Sequence, residues 1–367
     1  MDPYRPRATV LLDARMVGPR PHGIATYVLG LAHALKQTRP DWRPVLLLSP
    51  DAPLEVRDAF THAISPVPFL HPAEPALLPA LVSRLRWDVF HATSFACSPL
   101  LPGPWVLTLH DAIHLERPAD YGWRQAAYYR LVVGPAARSA RAVVTVSQDA
   151  RARLAHHLAL RPDTIHVIHN GVDPAFRGVP DGPHDGPVLA ISGPKPHKNL
   201  ATLVHALRHA PGLRLDVAGQ PLPGLQDLAV SLGVDRRVRW LGPVSRTTLL
   251  ACLHAATALA FPSTLEGFGL PPLEAMAAGC PVVVGDIPVL REVARDAALR
   301  VAPLDARAWA ETLVRVATSP GLRANLARAG RGRAGAFTWE EAARATASLY
   351  DRVTSRRGAA PPSSGRH

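Results

Sequence analysis

Lysine is nearly missing from this sequence. The 367-residue chain carries 41 basic side chains, yet only Lys36, Lys195 and Lys198 are lysines. Cysteine is as scarce. Cys97, Cys252 and Cys280 are scattered without a CxxC pair, which excludes a disulfide framework or a cysteine metal cluster and fits a reducing compartment. No stretch of about 18 uninterrupted apolar residues occurs, so no membrane-spanning helix is expected. Residues 1–7 are polar, and the first apolar run, "ATVLLDA", is short. It reads as a strand, not as a signal peptide, and a cytoplasmic location is expected.

What is present suits a large α/β protein. Apolar residues make up 47% of the chain, and this length favours two cores over one. The net charge of +12 suits an anionic partner such as nucleic acid, anionic lipid or a phosphorylated substrate. Codon bias toward arginine on solvated faces accounts for it equally well, because the arginines are spread along the chain. No aromatic-interleaved basic patch, helix-turn-helix pattern or zinc spacing is found, so no nucleic-acid partner is expected.

Short apolar runs alternate with helix-like segments. "TVLLDA", "PVLLLS", "WDVFHA", "WVLTLHDA" and "AVVTVS" read as buried strands, and "IHVIHNGVD" as a further strand entering a turn. Helical patterns cover 25–38, 76–86, 123–140 and 148–159. Such alternation implies a parallel, doubly wound sheet. Residues 175–187, rich in proline and glycine, read as a linker. The alternation then restarts with "VLAISG", "LRLDVAG", "VRWLG", "ALAFPS" and "PVVVGD". The expected organisation is therefore a domain over 1–174, a linker over 175–187 and a second domain over 188–338. A helix over 339–355 packs back toward the first domain, with a capping box from Thr338 and Glu341 at its start. Residues 356–367 form a solvated tail. Ligands of such sheets sit beyond the carboxyl ends of the strands, so two facing sheets place a site in a cleft between them. "GRGRAG" at 330–335 fits G-x-G-x-x-G, but it follows a helical pattern instead of a strand, and the dinucleotide reading fails.

The densest signal is "FPSTLEGFGLPPLEAMAAGCPVVVGD", one complete strand–loop–helix–strand unit. Glu266 lies in the loop with Gly267, Phe268 and Gly269, and Leu270 opens the helix. Pro271 and Pro272 suit its first positions, and Gly279 its stop. Glycines let backbone approach a ligand, and a helix N-terminus favours an anion. Glu266 and Glu274 can face one cleft, where carboxylates accept hydrogen bonds from vicinal hydroxyls of a sugar and a ribose. Taken alone, Glu274 serves equally well as a complement to the helix dipole, and Glu266 as a surface loop residue.

"EGFGLPPLE" resembles the E-x7-E signature of the retaining glycosyltransferases of family 4, which have the GT-B fold. An ordered series of further segments carries the resemblance from about residue 8 to 353: "HGIATYVLGLAHAL", "VLTLHDAIHLERP", "VTVSQDARARL", "IHVIHNGVDPAF", "ISGPKPHKNLATLVHAL" and "FTWEEAARATASLYDRV". It implies two Rossmann-like domains and transfer of a hexose from a nucleotide sugar, with retention, onto a glycan or lipid-linked acceptor, as in cell-envelope polysaccharide synthesis. The order of "PKPHKN" and "EGFGLPPLE" is most similar to mannosyltransferase-like members using GDP-mannose. A UDP-sugar donor, glucose or N-acetylglucosamine, is the alternative, and a nucleotide-sugar epimerase a more distant one.

The resemblance also assigns residues. Lys198 becomes the phosphate-binding lysine and Glu266 the residue that positions the sugar. His110, at the end of "WVLTLH", contacts the transferred sugar. Gly23, Lys195, Phe268, Gly269, Leu270 and Glu274 bind the donor. Family members carry an arginine near the position of Pro194, which this chain lacks; Lys195 or a distant arginine such as Arg300 replaces it. No Asp-x-Asp sequence occurs, and with lysines in the phosphate loop this implies departure of the diphosphate without a metal and no cofactor. Residues 123–141 combine Trp123, Tyr128 and Tyr129 with Arg124, Arg130, Arg138 and Arg141. They offer a peripheral contact with an anionic membrane, and buried aromatics are the competing account.

Overall fold

The computed structural model describes residues 8–19, 22–178, 180 and 182–355. The readings of residues 1–7 and of the tail 356–367 lie outside them. The chain groups into two compact units, one ending at Gly171 and rejoined by the residues from Trp339 onward, the other covering Val172–Thr338.

The first unit is built on β1 (Ala8–Asp13), β2 (Trp42–Leu48), β3 (His62–Ile64), β4 (Val89–Ala92), β5 (Trp105–Thr108), β6 (Ala142–Thr145) and β7 (Ile165–Val167). Among the described residues they form one parallel sheet in the order β3-β2-β1-β4-β5-β6-β7. β4, β5 and β6 are buried along their whole length, which is why they read as unbroken apolar runs: both faces are covered by helices. β3 escapes sequence reading because "HAI" is three residues long and lies at the sheet edge, half exposed.

The second unit holds β8 (Val188–Ile191), β9 (Leu215–Ala218), β10 (Val238–Gly242), β11 (Leu259–Phe261), β12 (Val282–Gly285) and β13 (Leu299–Val301). Their parallel order is β10-β9-β8-β11-β12-β13. Both sheets are doubly wound. The strand order reverses between β1 and β4 in the first, and between β8 and β11 in the second, and these switch points open crevices at the carboxyl ends.

The expected linker is not a free connection over its whole length. Gly186 N–H donates to the Ala255 carbonyl at 2.9 Å, and His184 Nδ1 pairs with the Ala256 carbonyl at 3.1 Å, so this stretch already packs on the second unit. Its prolines and glycines spoil a helix or a long strand but leave such single bonds available. The change of unit falls earlier, after Gly171.

The helix Trp339–Ser355 belongs to the first unit. It buries Trp339, Ala342, Ala343, Thr346, Ala347, Tyr350 and Val353, one stripe at helical spacing. The stripe packs on the helix Gly23–Thr38, where Gly30 makes the close approach: a Cβ there would lie 2.3 Å from the Trp339 indole. Asp351 accepts from Arg39 Nη2 at 2.9 Å and from Trp42 Nε1 at 3.0 Å, fixing the last turns. "GRGRAG" lies at the end of the helix Pro320–Ala334, which is incompatible with a nucleotide loop after a strand.

The segment 123–140 is not one regular helix. The helices Trp123–Tyr128 and Gly134–Ser139 flank a π-helical turn, Tyr129–Val133. Pro135 has no N–H for the usual bond one turn back, and Gly134 N–H bonds the Tyr129 carbonyl instead, one residue further than in an α-helix. Tyr129 is core and Tyr128 half-buried. Outward residues include Arg124, Arg130 and Arg138 with Trp123 and Leu131, the last two each 74% exposed. No described helix is long and apolar enough to cross a membrane.

Candidate functional site

In the second unit the switch point brings two loops together. The loop after β8 ends in a 3-10 turn, Pro196–Lys198, and the next residue, Asn199, adopts a left-handed conformation (φ 53°). Its side-chain amide donates to the Pro262 carbonyl at 3.0 Å and to the Pro303 carbonyl at 2.7 Å. Thr264 N–H donates to the His197 carbonyl at 2.9 Å. These bonds staple the β8 loop to the loop after its sheet neighbour β11 and, through Pro303, to the segment after β13.

The staple sets the charges. Lys198 Nζ donates to Glu266 Oε1 at 2.7 Å, and the ammonium lies 5.2 Å from the centroid of the Phe261 ring. Glu266 is 8% exposed, while the Lys198 side chain keeps 23% of its surface. An ammonium has three donors, and this contact takes one. The pair can therefore offer N–H groups to an anion and a carboxylate oxygen to a hydroxyl at the same place.

Gly269 stands in the left-handed region (φ 103°), and a Cβ on it would lie 2.7 Å from Leu290 Cδ2, so glycine is required by conformation and by space. It starts the helix Leu270–Ala277. The N-terminus is a poorer anion site than sequence reasoning allowed. Of its first three residues, Leu270, Pro271 and Pro272, only Leu270 has an N–H. Phe268 is buried, its ring edge-on to Phe337 at 5.7 Å between centroids, so its side chain is core and only its backbone can serve a ligand. Burial pushes the Glu274 carboxyl up to about 7; the Asp173 carboxylate adds to the rise and Arg246 opposes it. Arg246 Nη2 pairs with Asp173 Oδ2 at 2.7 Å. Lys195 caps the 3-10 turn half-buried, and Arg300 is exposed on β13, with its charge acting on Asp286.

In the first unit Gly23 opens the helix Gly23–Thr38, after the loop that follows β1. His22 caps it: Ala25 N–H donates to His22 Nδ1 at 3.4 Å, and His22 Nε2 pairs with the Met16 carbonyl at 2.9 Å. His110 lies two residues beyond the end of β5. Its Nε2 is 2.9 Å from the Thr93 carbonyl, which requires the proton on Nε2 and leaves the lone pair on Nδ1 in the neutral ring. Burial lowers its pKa, against the Thr93 hydrogen bond and Asp111. His110 is therefore a neutral acceptor at neutral pH.

Sequence reasoning missed a buried cluster beside the β1 exit. Arg15 donates to both Asp13 oxygens, at 2.8 and 2.7 Å, and also to Glu74. Burial pulls the Arg15 pKa down, but the two carboxylates outweigh it and hold the guanidinium charged. Glu74 also accepts from Leu70 N–H at 3.0 Å, so the cluster anchors the loop after β3. A cavity of about 450 Å³ lies above it, walled by Met16, Val17, Ser49, Pro68 and Phe69. Asp173 and Arg246 were missed likewise.

Two Rossmann-like units with their crevices at the switch points are the architecture of GT-B glycosyltransferases, and comparison with known proteins agrees. Residues 21–176 match the model of Glycosyltransferase Family 4, and residues 183–333 that of Glycosyl transferases group 1. The O-antigen chain mannosyltransferase RfbU of Salmonella typhimurium is 31% identical over 58% of this chain and 61% of its own length. A glycogen synthase of Mycobacterium tuberculosis is 31% identical over 77% of this chain and 71% of its own. Among solved structures, sucrose-phosphate synthase from Thermosynechococcus elongatus superposes with a TM-score of 0.79 at 20% identity, covering 95% of this chain and all of that one. HepE of Anabaena, solved with UDP and glucose, gives 0.74 at 21% identity, covering 94% and 99%. The chain belongs to the family 4 and group 1 glycosyltransferases. It spans half to three fifths of the length of several of its curated relatives.

Proposed function

We propose that the chain is a retaining hexosyltransferase that holds a nucleotide sugar in its second unit and transfers the hexose to a glycan or lipid-linked acceptor. The observation that carries this reading is the Lys198–Glu266 pair, seated at the switch point of the sheet. As the glycosidic bond breaks, the departing diphosphate gains negative charge, and a preorganised ammonium at that point stabilises the transition state more than the ground state. Glu266 holds a hexose hydroxyl. Glu274 accepts from the ribose hydroxyls, and His110 Nδ1 meets a further hydroxyl of the hexose. Retention by front-face attack needs no enzyme nucleophile; the donor phosphate helps to take the acceptor proton. Lys198, not a metal ion, neutralises the leaving group.

GDP-mannose is the donor we favour, in line with the name of RfbU, and UDP-glucose is the alternative, in line with HepE. A thermal-shift screen over GDP, UDP, GDP-mannose, UDP-glucose and UDP-N-acetylglucosamine tests this. One nucleotide and its sugar should raise the melting temperature in proportion to the logarithm of ligand excess. No shift with any of them would contradict the reading.

Exposed Trp123 and Leu131, flanked by Arg124 and Arg130, fit an anionic bilayer surface, at the cytoplasmic face where lipid-linked acceptors are used. Co-sedimentation with vesicles should rise with anionic lipid and fall with salt, since attraction is screened beyond about 10 Å at 0.1 M. Equal recovery in the supernatant with neutral and anionic vesicles would exclude it.

A further inference from the structure

We propose that Tyr27 is a positioning residue for His110, held in place by a buried hydrogen-bonded chain that runs from Tyr350 on the C-terminal helix through His91 and Thr108. The proposal rests on the reading of His110 given above.

His110 is anchored by one hydrogen bond, from Nε2 to the Thr93 carbonyl. A planar ring held at one atom can still tilt about that bond. The second restraint is Tyr27, whose ring meets the imidazole edge to face, with centroids 4.8 Å apart and planes at 82°. Tyr27 lies on the helix Gly23–Thr38, one turn beyond Gly23. Its hydroxyl is 3.0 Å from Thr108 Oγ1, and Thr108 ends β5, two residues before His110. Tyr27 is thus tied by its hydroxyl to the strand and by its ring to the histidine that the strand delivers.

The chain continues inward. Thr108 Oγ1 is 2.7 Å from His91 Nε2, and His91 Nδ1 is 2.6 Å from the Tyr350 hydroxyl. All four side chains are buried. Burial holds the His91 pKa down to about 3, so the ring is neutral, with one nitrogen donating and the other accepting. Such a chain loses a partner at either end if one member turns, so it accepts one arrangement and resists others. Plain apolar packing would fill the same space without fixing a rotation. Tyr350 lies 259 residues from His91 in sequence, and the chain makes the C-terminal helix part of what orients the candidate site of the first unit.

Steady-state transfer by the full chain tests this, with His110→Ala, Tyr27→Leu, Tyr27→Phe and Tyr350→Phe compared on one donor. The second measurement is the ¹⁵N spectrum of the His110 ring. Tyr27→Leu should lower kcat by about tenfold or more while changing the donor KM less than about twofold, because misorientation acts on the reacting geometry and not on nucleotide grip. Tyr350→Phe should lower kcat by roughly threefold in the same manner. Both should move His110 from a single Nε2–H tautomer toward a mixture. A merely structural Tyr350 would lower the melting temperature and leave kcat and the ¹⁵N shifts of the folded protein unchanged. If Tyr27→Leu fails to fold, the two phenylalanine variants keep the ring packing and carry the test on the same terms. Crippled His110→Ala beside wild-type kcat in the folded tyrosine variants would overturn the proposal and leave the reading of His110 standing. A fully active His110→Ala would overturn both.

Discussion

The two units hold their candidate residues by different means. In the second, left-handed turns and bonds to loop carbonyls do it: Asn199, left-handed, staples loops through its side-chain amide, a left-handed Gly269 turns the chain into a helix, and Lys198 and Glu266 meet beside them. In the first, buried polar side chains do it: Asp13, Arg15 and Glu74 fasten the loop after β3, and Tyr350, His91, Thr108 and Tyr27 stand behind His110. Loops pinned in this way leave the half-buried Lys198 ammonium able to exchange partners with a ligand. Buried networks are satisfied internally and resist change, which suits a scaffold but leaves little free to bind.

That contrast can be broken by substitution. Arg15→Met strips two buried carboxylates of their partner and should cost about 3–5 kcal/mol of stability in urea unfolding. Lys198→Met leaves the mostly buried Glu266 without its cation, but the ammonium side is still reached by solvent, so the change should cost less, about 1–2 kcal/mol. Equal losses would erase the distinction between a structural network and a poised pair. Gly269→Ala should cost about 1–3 kcal/mol, since it forces a side chain into a left-handed backbone against Leu290.

Titration sharpens the comparison. The Glu274 carboxyl, pushed up to about 7, is protonated in the folded protein where the unfolded chain has lost the proton. Its contribution to stability is therefore present below about pH 4.5 and lost as pH rises through about 7. A ribose prefers the carboxylate, so nucleotide affinity should rise over the upper part of this window, and Glu274→Gln should flatten both dependences. His91 works in the opposite sense: with its pKa held down to about 3, it contributes stability above about pH 6.5 that is lost toward about 3. The smallest effect is a null one. Excess EDTA should leave transfer unchanged, and activity lost to EDTA and restored by Mg²⁺ would show that Lys198 does not suffice at the diphosphate.

How legible each device was in the sequence follows from its span. The unit from β11 through Glu274 to β12 was readable because its strand, glycines, prolines and carboxylates run in one stretch. β3 and β13 were not, since each is a three-residue edge strand with an exposed side chain in it, and so gives no buried apolar run. Arg15 and Glu74 meet across 59 residues and Tyr350 and His91 across 259, distances at which no local pattern connects them. The arginine excess also gains a structural account. Arg333 donates to the Glu292 and Val293 carbonyls, Arg323 to Val316 and Ala317, Arg237 to Leu207 and Ala210, and Arg138 to Leu158. Each meets carbonyls at or just beyond the end of a helix, and Arg333, Arg323 and Arg237 each reach two of them at once. Part of the positive charge thus serves the fold, while two of the three lysines stand at the β8 loop.

The central claim is that the Lys198 ammonium stabilises a departing diphosphate. Transfer from the preferred nucleotide sugar, measured for Lys198→Ala beside the wild type, tests it most directly. A folded variant with kcat/KM reduced by about a hundredfold, roughly 3 kcal/mol of transition-state stabilisation, is the predicted result. An unchanged kcat/KM in a folded variant would contradict it.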